Sequence, residues 1–180
     1  MKVVGISGLP GSGKSLISKI AKEKNIIVIN MGDLVRKEAK KRNADVGETS
    51  IKLREEFGEY VLAKLTIEKI KKESETVNSK NIFIIEGIRS QHEVSMFRKS
   101  FKDFFLLSVF SSPKTRFNRL KSRNRNDDSV EYEGFLKRDQ RELDFGIGNV
   151  VATSDCIIIN EADLETYKNQ INRFFNEILN

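Results

Sequence analysis

The sequence predicts a three-layer α/β/α domain built on a five-stranded parallel sheet. Short apolar runs alternate with longer stretches of helical periodicity along the whole chain. The runs are apolar throughout rather than at every second position, which is typical of strands buried on both faces. Helices must then cover both faces of the sheet. With 38% hydrophobic and 32% charged residues in 180, the composition is that of an ordinary globular chain.

The pattern predicts five strands and seven helices. The strands cover residues 2–7, 26–30, 81–85, 104–110 and 156–160. The helices cover residues 14–24, 33–42, 50–73, 90–99, 113–122, 130–143 and 163–180. Ser112-Pro113 is typical of a helix start, with an N-cap followed by proline at the first helical position, and Asp163 is a second candidate cap. Because no repeat or linker divides the chain, we expect residues 1–180 to form one domain.

A glycine-rich segment joins the first strand to the first helix: Gly8-Leu9-Pro10-Gly11-Ser12-Gly13-Lys14-Ser15. Its spacing is that of a phosphate-binding loop, in which backbone N–H groups and a helix N-terminus converge on an anion. Lys14 would reach the β- and γ-phosphates, and the Ser15 hydroxyl would ligate Mg²⁺. An ordinary glycine-rich turn is the alternative, but the flanking strand and helix favour the phosphate loop. The motif predicts a bound nucleoside triphosphate, with ATP and GTP both open.

The charge and the cysteine content of the sequence bear on the protein's partners and on its cellular compartment. The net charge of +6 suits anionic ligands of any kind, including nucleotides and RNA. No basic motif is interleaved with aromatic residues, so nucleic acid is not the favoured partner. The single cysteine, Cys156, lies in an apolar run and is interpreted as a small core residue in a reducing compartment. Without a signal-peptide pattern or a membrane-length apolar segment, we expect a cytoplasmic protein with no membrane partner.

Charged residues follow the predicted strands at the edge where the phosphate loop lies. Met31 to Arg36 follow the second strand, Glu86 to Arg89 follow the third, and arginines at 116, 119, 123 and 125 follow the fourth. In parallel sheets ligands bind beyond the carboxyl ends of the strands. Any one arginine could be a solvated surface charge. Their convergence on one edge favours a site for phosphorylated ligands.

Four segments resemble the motif series of adenylate kinases and related nucleoside monophosphate kinases, in the same order and over most of the chain. They are Gly8 to Ser15, Gly32-Asp33-Leu34-Val35-Arg36, Glu86-Gly87-Ile88-Arg89, and Arg125-Asn126-Asp127-Asp128 followed by Arg138. The chain most resembles the archaeal adenylate-kinase-related ATP-binding proteins. Arg116, Arg119, Leu120 and residues 154–160 are also similar to dephospho-CoA kinases. The resemblance implies a P-loop kinase fold with a monophosphate-binding insertion at about 31–75 and a short helical lid at about 119–142.

The resemblance also implies roles for individual side chains. Residues implied to act on the transferring phosphoryl group are Lys14, Arg123, Arg125, Arg138 and Asp33. Residues implied to hold Mg²⁺ are Ser15, Asp33 and Glu86, although Glu86 stands where the family usually has aspartate. The acceptor would contact Gly32, Arg36 and Arg89, with Gln91 a candidate for reading its base. Arg119 would pack on the donor adenine, and Asn160, Glu161 and Ala162 would form the other side of that pocket.

The sequence thus favours a kinase that transfers the γ-phosphoryl group of Mg·ATP to a nucleoside monophosphate, with AMP first. Such transfer needs positioning and charge neutralisation more than a nucleophilic side chain. Another acceptor, including dephospho-CoA, stays open within the same chemistry. An ATP-dependent switch or RNA assembly factor with weak ATPase activity is the alternative from another class. The pattern sets no oligomeric state.

Overall fold

The computed structural model describes residues 1–75, 82–123 and 131–179 of the chain. In chain order its elements are β1 Lys2–Ser7, α1 Lys14–Glu23, β2 Ile27–Asn30, α2 Met31–Arg42, α3 Val46–Phe57, α4 Val61–Glu75, β3 Ile82–Ile88, α5 Gln91–Ser100, β4 Asp103–Phe110, α6 Pro113–Arg123, α7 Tyr132–Asp144, α8 Ile147–Ala152, β5 Cys156–Ile159 and α9 Leu164–Leu179. The predicted α/β class is confirmed. None of the described helices has the length and apolar character needed to cross a membrane.

The five strands form one parallel sheet in the order β2-β3-β1-β4-β5. β1 is the central strand and pairs with β3 on one side and β4 on the other. The order reverses direction at β1, because β2 and β3 lie on one side of it and β4 and β5 on the other. This is the switch point at which open parallel sheets place their ligands. The phosphate loop follows β1 at this point.

Helices cover both faces of the sheet. Successive residues of each strand point to opposite faces of the sheet. Val3 and Phe83 pack with α2, α4 and α5 on one face, and Val4 and Ile84 pack with α1 and α9 on the other. All four of these side chains are fully buried. Strands buried on both faces explain why the sequence runs are apolar throughout. The three-layer prediction is therefore confirmed.

Two features of the helices differ from the sequence prediction. The single helix predicted for 50–73 is two helices, α3 and α4, separated at Gly58, whose φ of 83° ends α3. A left-handed residue cannot continue a right-handed helix, and glycine adopts that conformation at little cost. The short helix α8 was not predicted. It begins after Gly146, whose φ is 92°, and its six residues are too few to show a periodic pattern.

Candidate functional site

The phosphate loop contains a glycine, Gly13, at which a side chain would be both strained and crowded. Gly13 has a φ of 107°, and a Cβ there would lie within 3.1 Å of the Tyr167 ring and overlap the Asn160 amide. The Tyr167 hydroxyl donates a hydrogen bond to the Gly13 carbonyl at 3.1 Å, and the Asn160 amide donates to the Ser12 carbonyl at 2.8 Å. The loop is thus fixed from behind by α9 and by the residue that follows β5.

Lys14 folds back over the loop. Its Nζ donates to the carbonyls of Gly8 at 2.6 Å and Leu9 at 3.0 Å. Burial lowers the pKa of Lys14 from its ordinary value of 10.5 to about 8, although the nearby carboxylates of Glu86 and Glu142 act in the opposite direction. A buried ammonium gains most from a negatively charged partner. A triphosphate placed in the loop would supply that partner.

A cavity of about 250 Å³ lies in front of the loop and is called the loop cavity. Its described lining includes Pro10, Gly11, Gly13, Lys14, Ser15, Asn30, Gly32, Arg36, Glu86, Gly87, Arg89, Arg119, Leu120, Arg123 and Arg138. Segments far apart in sequence therefore meet at one edge of the sheet. The structure brings the loop together with Arg36, Arg89, Arg119, Arg123 and Arg138. Arg116 does not line this cavity, because it is buried in an ion pair with Asp139, and Arg125 lies outside the described residues.

A second cavity, of about 280 Å³, lies between the α2–α3 region and α7 and is called the helix cavity. It shares Gly32, Arg36, Arg89 and Arg138 with the loop cavity. These three arginines therefore stand at the boundary between the two spaces. Arg89 is held there by Glu142, whose Oε1 lies 3.0 Å from its Nη1 and which is only 2% exposed as a residue.

A third cavity lies on the other side of the loop and is called the rim cavity. Its lining includes Ser15, Leu16, Arg119, Asn160, Ala162, Leu164 and Tyr167. Arg119 donates hydrogen bonds to the Asn160 carbonyl at 3.1 Å and to the Ser111 hydroxyl at 3.0 Å. Glu161 points elsewhere, because its carboxylate accepts hydrogen bonds from the Ser112 N–H and, at 2.7 Å, from the Thr115 hydroxyl at the start of α6. These hydrogen bonds lower the pKa of Glu161.

Two other predicted residues lie away from the cavity walls. Asp33 is exposed, forms an ion pair with Arg36 at 2.5 Å, and is not among the residues that line the loop cavity. The Gln91 amide donates to the Asn149 carbonyl at 2.9 Å and to the Thr153 hydroxyl at 2.6 Å, so it binds α8. Glu86, in contrast, lines the loop cavity and accepts a hydrogen bond from the Ser18 hydroxyl at 2.5 Å.

Sequence reasoning gave no role to several residues that build the site. Two of them are Asp139, which pairs with Arg116, and Glu142, which pairs with Arg89. Both lie in α7, whose sequence is typical of a solvated, charged helix surface. Only their burial, at 8% and 2% exposure, identifies them as structural partners of arginines. In the sequence, Tyr167 cannot be told apart from an aromatic residue of the hydrophobic core.

Comparisons with known proteins place the chain in a family. A family model described as AAA domain matches residues 7–133. The UPF0200 protein of Methanothermobacter thermautotrophicus is 49% identical over 178 residues, which cover 99% of this chain and 91% of that relative. The chain belongs to the UPF0200 protein family and contains an AAA domain.

Solved structures similar to this UPF0200 member extend the comparison to its fold. The crystal structure of TT1252 from Thermus thermophilus has a TM-score of 0.69 at 15% identity and covers 98% of this chain and 97% of its own. A shikimate kinase from Bacteroides thetaiotaomicron has a TM-score of 0.63 at 16% identity, with 99% of both chains covered. At such identities the likeness shows the fold alone. The protein has a P-loop kinase-like α/β fold, and its relation to adenylate kinases stays a prediction.

Proposed function

We propose that the protein transfers the γ-phosphoryl group of Mg·ATP to the phosphate of a nucleoside monophosphate, with AMP as the first acceptor to test. One observation carries the proposal. Arg36, Arg89 and Arg138 line both the loop cavity and the helix cavity. A donor triphosphate in the loop and an acceptor in the helix cavity would therefore present their reacting groups to the same three guanidinium groups.

The reaction follows from this placement. An oxygen of the acceptor phosphate attacks the γ-phosphorus, the bond from that phosphorus to the β–γ bridging oxygen breaks, and ADP leaves with that bond's electron pair. Charge then lies on the equatorial oxygens of the transferring group, where planar guanidinium groups bind bidentately and keep their charge at every relevant pH. Arg36, Arg89 and Arg138 would supply this binding, and Lys14 would hold the β- and γ-phosphates.

The donor atoms near the loop fit a magnesium ion. Ser15 and Glu86 both line the loop cavity, and magnesium commonly binds through one or two protein oxygens together with phosphate oxygens and water. These two residues would hold the ion, which neutralises charge on the β- and γ-phosphates when bound. Asp33 is assigned a smaller part, since its carboxylate pairs with Arg36 in this arrangement.

The rim cavity is the proposed place of the adenine. Arg119 and Leu164 would contact opposite sides of the base there, next to Ala162. The Asn160 side chain also binds the loop, so this cavity shares a residue with the support behind the phosphate-binding backbone. Arg123 lines the loop cavity and is placed to join the arginines around the phosphates. Arg125 keeps only the role that the sequence resemblance implies.

The test is phosphorylation of a panel of acceptors. Purified protein is incubated with Mg·ATP and separately with AMP, other nucleoside monophosphates and dephospho-CoA, and products are separated by chromatography. Lys14→Ala and Arg89→Ala are assayed beside Arg173→Ala, which removes an exposed arginine on α9 as a charge-matched control. We expect both site variants to lose at least about 100-fold in rate, as loss of a transition-state charge partner does. The control keeps the rate.

The proposal fails if ATP binds and no acceptor is phosphorylated. Hydrolysis of ATP without an acceptor, together with salt-sensitive binding of RNA, would instead support the switch or assembly function. Phosphorylation of dephospho-CoA and not of AMP would keep the reaction and replace the acceptor.

A further inference from the structure

The helix cavity carries more positive charge than one phosphate group uses. Its described lining contains five cationic side chains and two carboxylates. Arg36, Arg89 and Arg138 are shared with the loop cavity and face the transfer position. Lys137 and Arg141 line the helix cavity without lining the loop cavity. Two cations therefore lie beyond the point at which the phosphoryl group would be transferred.

The two carboxylates of this cavity are already engaged. Glu142 pairs with Arg89 at 3.0 Å. Asp45 caps helix α3, because its Oδ1 accepts a hydrogen bond from the Glu48 N–H at 3.0 Å. Lys137 pairs at 2.8 Å with Glu133, but both side chains are about three-quarters exposed, and such pairs are weak. Asp45 Oδ1 also lies near the Arg141 guanidinium, because a Cβ placed on Gly47 would be 2.9 Å from Asp45 Oδ1 and 2.7 Å from Arg141 Cζ. With five cations against two carboxylates, the described cavity wall still carries an excess of positive charge.

Arg141 is held in the cavity by a close approach to α3. Its guanidinium lies against Gly47, where a Cβ would be 2.7 Å from the arginine Cζ. Its Nε is buried and has no hydrogen-bond partner among the described residues. Buried donors without a partner are rare in folded proteins. The first turn of α3, at Val46 and Gly47, lines the same space and adds the positive end of a helix dipole.

We propose that the acceptor carries a second anionic group, a phosphate or a carboxylate, which Arg141 binds with help from Lys137. This inference rests on the proposed function and names the class of its acceptor. The described wall of the helix cavity contains no aromatic ring on which a nucleobase could stack. Charge is therefore the recognition feature that the described wall offers to an acceptor. AMP has one anionic group, its phosphate, and serves as the reference. An acceptor with two anionic groups should bind more tightly than AMP.

Binding of matched ligand pairs tests this directly. Glycerol 3-phosphate and 3-phosphoglycerate differ by a carboxylate, and AMP and adenosine 3′,5′-bisphosphate differ by a phosphate. Each is titrated by calorimetry into the protein saturated with magnesium and a non-hydrolysable ATP analogue. In at least one pair, we expect the member with two anionic groups to bind at least about tenfold more tightly than the member with one, as one charge-assisted hydrogen bond would give. The pair that shows the preference identifies the second anion.

Three variants assign the preference to its residue. Arg141→Gln removes the charge and should abolish the preference, while Arg173→Gln makes the same change on α9 and should keep it. Gly47→Ala leaves every charge in place and displaces the Arg141 guanidinium, so it should also abolish the preference. A Cβ on Gly47 would also lie 2.9 Å from Asp45 Oδ1, which caps α3, so the thermal midpoint of Gly47→Ala is measured beside wild type to show that the fold is kept.

The outcomes separate this inference from the proposed function. Equal binding of both members of both pairs overturns the inference, as does a preference that survives Arg141→Gln. Phosphorylation of AMP in the acceptor assay together with equal binding here would leave the kinase standing and remove only the second-anion site. A preference lost in Arg141→Gln, with no acceptor phosphorylated, would support the site and overturn the kinase.

Discussion

Arg116 and Asp139 form a bidentate ion pair in the interior, with Nη1–Oδ1 and Nη2–Oδ2 distances of 2.6 and 2.5 Å. Arg116 is 1% exposed, and it also donates to the Ser111 carbonyl at 3.0 Å and the Pro10 carbonyl at 3.3 Å. One side chain thus connects the phosphate loop, the end of β4 and helix α7. Because α7 carries Arg138, this ion pair sets where that arginine stands relative to the loop.

Removing the carboxylate of this pair should destabilise the fold. Asp139→Asn leaves the Arg116 charge buried without its counter-ion, so we expect unfolding free energy to fall by about 3–5 kcal/mol. Urea denaturation measures this. The double variant Arg116→Met/Asp139→Leu should recover part of the stability, because apolar side chains can replace a buried ion pair, but it also removes the hydrogen bonds to the Ser111 and Pro10 carbonyls. A fall below about 1 kcal/mol in Asp139→Asn would show that the pair contributes little.

Nucleotide binding should be linked to proton uptake at Lys14. Its pKa in the folded, ligand-free protein is about 8, lowered by burial. The phosphates of ATP favour the charged ammonium, so binding at pH 8 to 9 should draw a proton from the buffer. Calorimetry in buffers of different ionisation enthalpy measures that uptake. Lys14→Arg should show none, because a guanidinium stays charged at these pH values.

The same pKa sets the direction of a stability change. Since the folded value of about 8 lies below the ordinary 10.5, the unfolded chain holds more protons between these two pH values. The contribution of Lys14 to the stability of the ligand-free protein therefore rises as the pH increases from about 8 to about 10.5. Urea midpoints for wild type and Lys14→Met across this range check the sign. A midpoint difference that does not change with pH would contradict it.

Gly13 and Gly58 offer a matched comparison of strain and contact. Both have positive φ, at 107° and 83°, so alanine at either position carries backbone strain of about 1–3 kcal/mol. A Cβ at Gly58 meets nothing within 4 Å, whereas one at Gly13 overlaps the Asn160 amide that holds the loop. Gly58→Ala should lower only stability. Gly13→Ala should also weaken ATP binding by at least about tenfold, which fluorescent-nucleotide titration would measure.

Most of the fold could be predicted because strand burial and helix periodicity leave a local trace in the sequence. The runs at β1 and β4 are apolar throughout, and their predicted bounds agree with the structure to within one residue. The break at Gly58 was missed because helical periodicity is similar on both sides of it. α8 was missed because one and a half turns make no pattern. Both errors lie where one glycine angle overrides the flanking residues.

The candidate site was predicted unevenly for a physical reason. The phosphate loop is contiguous, so its spacing alone predicts phosphate binding. Arg36, Arg89 and Arg138 come from three segments, and only the parallel topology brings them to one boundary. Gln91 was proposed from its position two residues after Arg89, but its side chain is hydrogen-bonded to α8. The role proposed for Arg141 depends on its contact with the Gly47 backbone, which neither segment of the sequence encodes alone.

Ser18 and Glu86 give the last prediction, which concerns the magnesium ion. Ser18 is 6% exposed and does not line the loop cavity, but its hydroxyl donates to Glu86 Oε2 at 2.5 Å. A hydrogen bond of this kind orients a metal-binding carboxylate, and its loss commonly costs 10- to 100-fold in metal affinity. Ser18→Ala should therefore raise the magnesium concentration needed for half-maximal binding of a fluorescent ATP analogue by about tenfold or more.

Comparison with Glu86→Gln separates orientation from charge. The carboxylate survives in Ser18→Ala, so high magnesium should restore tight nucleotide binding, whereas Glu86→Gln lacks the charge and should recover less at the same concentration. Ser74→Ala serves as the control. It removes a serine hydroxyl from a different helix, α4, where the Ser74 hydroxyl donates to the Lys71 carbonyl, and the magnesium requirement should not change. If Ser18→Ala and Ser74→Ala titrate alike, Glu86 does not need its hydrogen bond from α1 and acts on the nucleotide in some way other than through an oriented metal ligand.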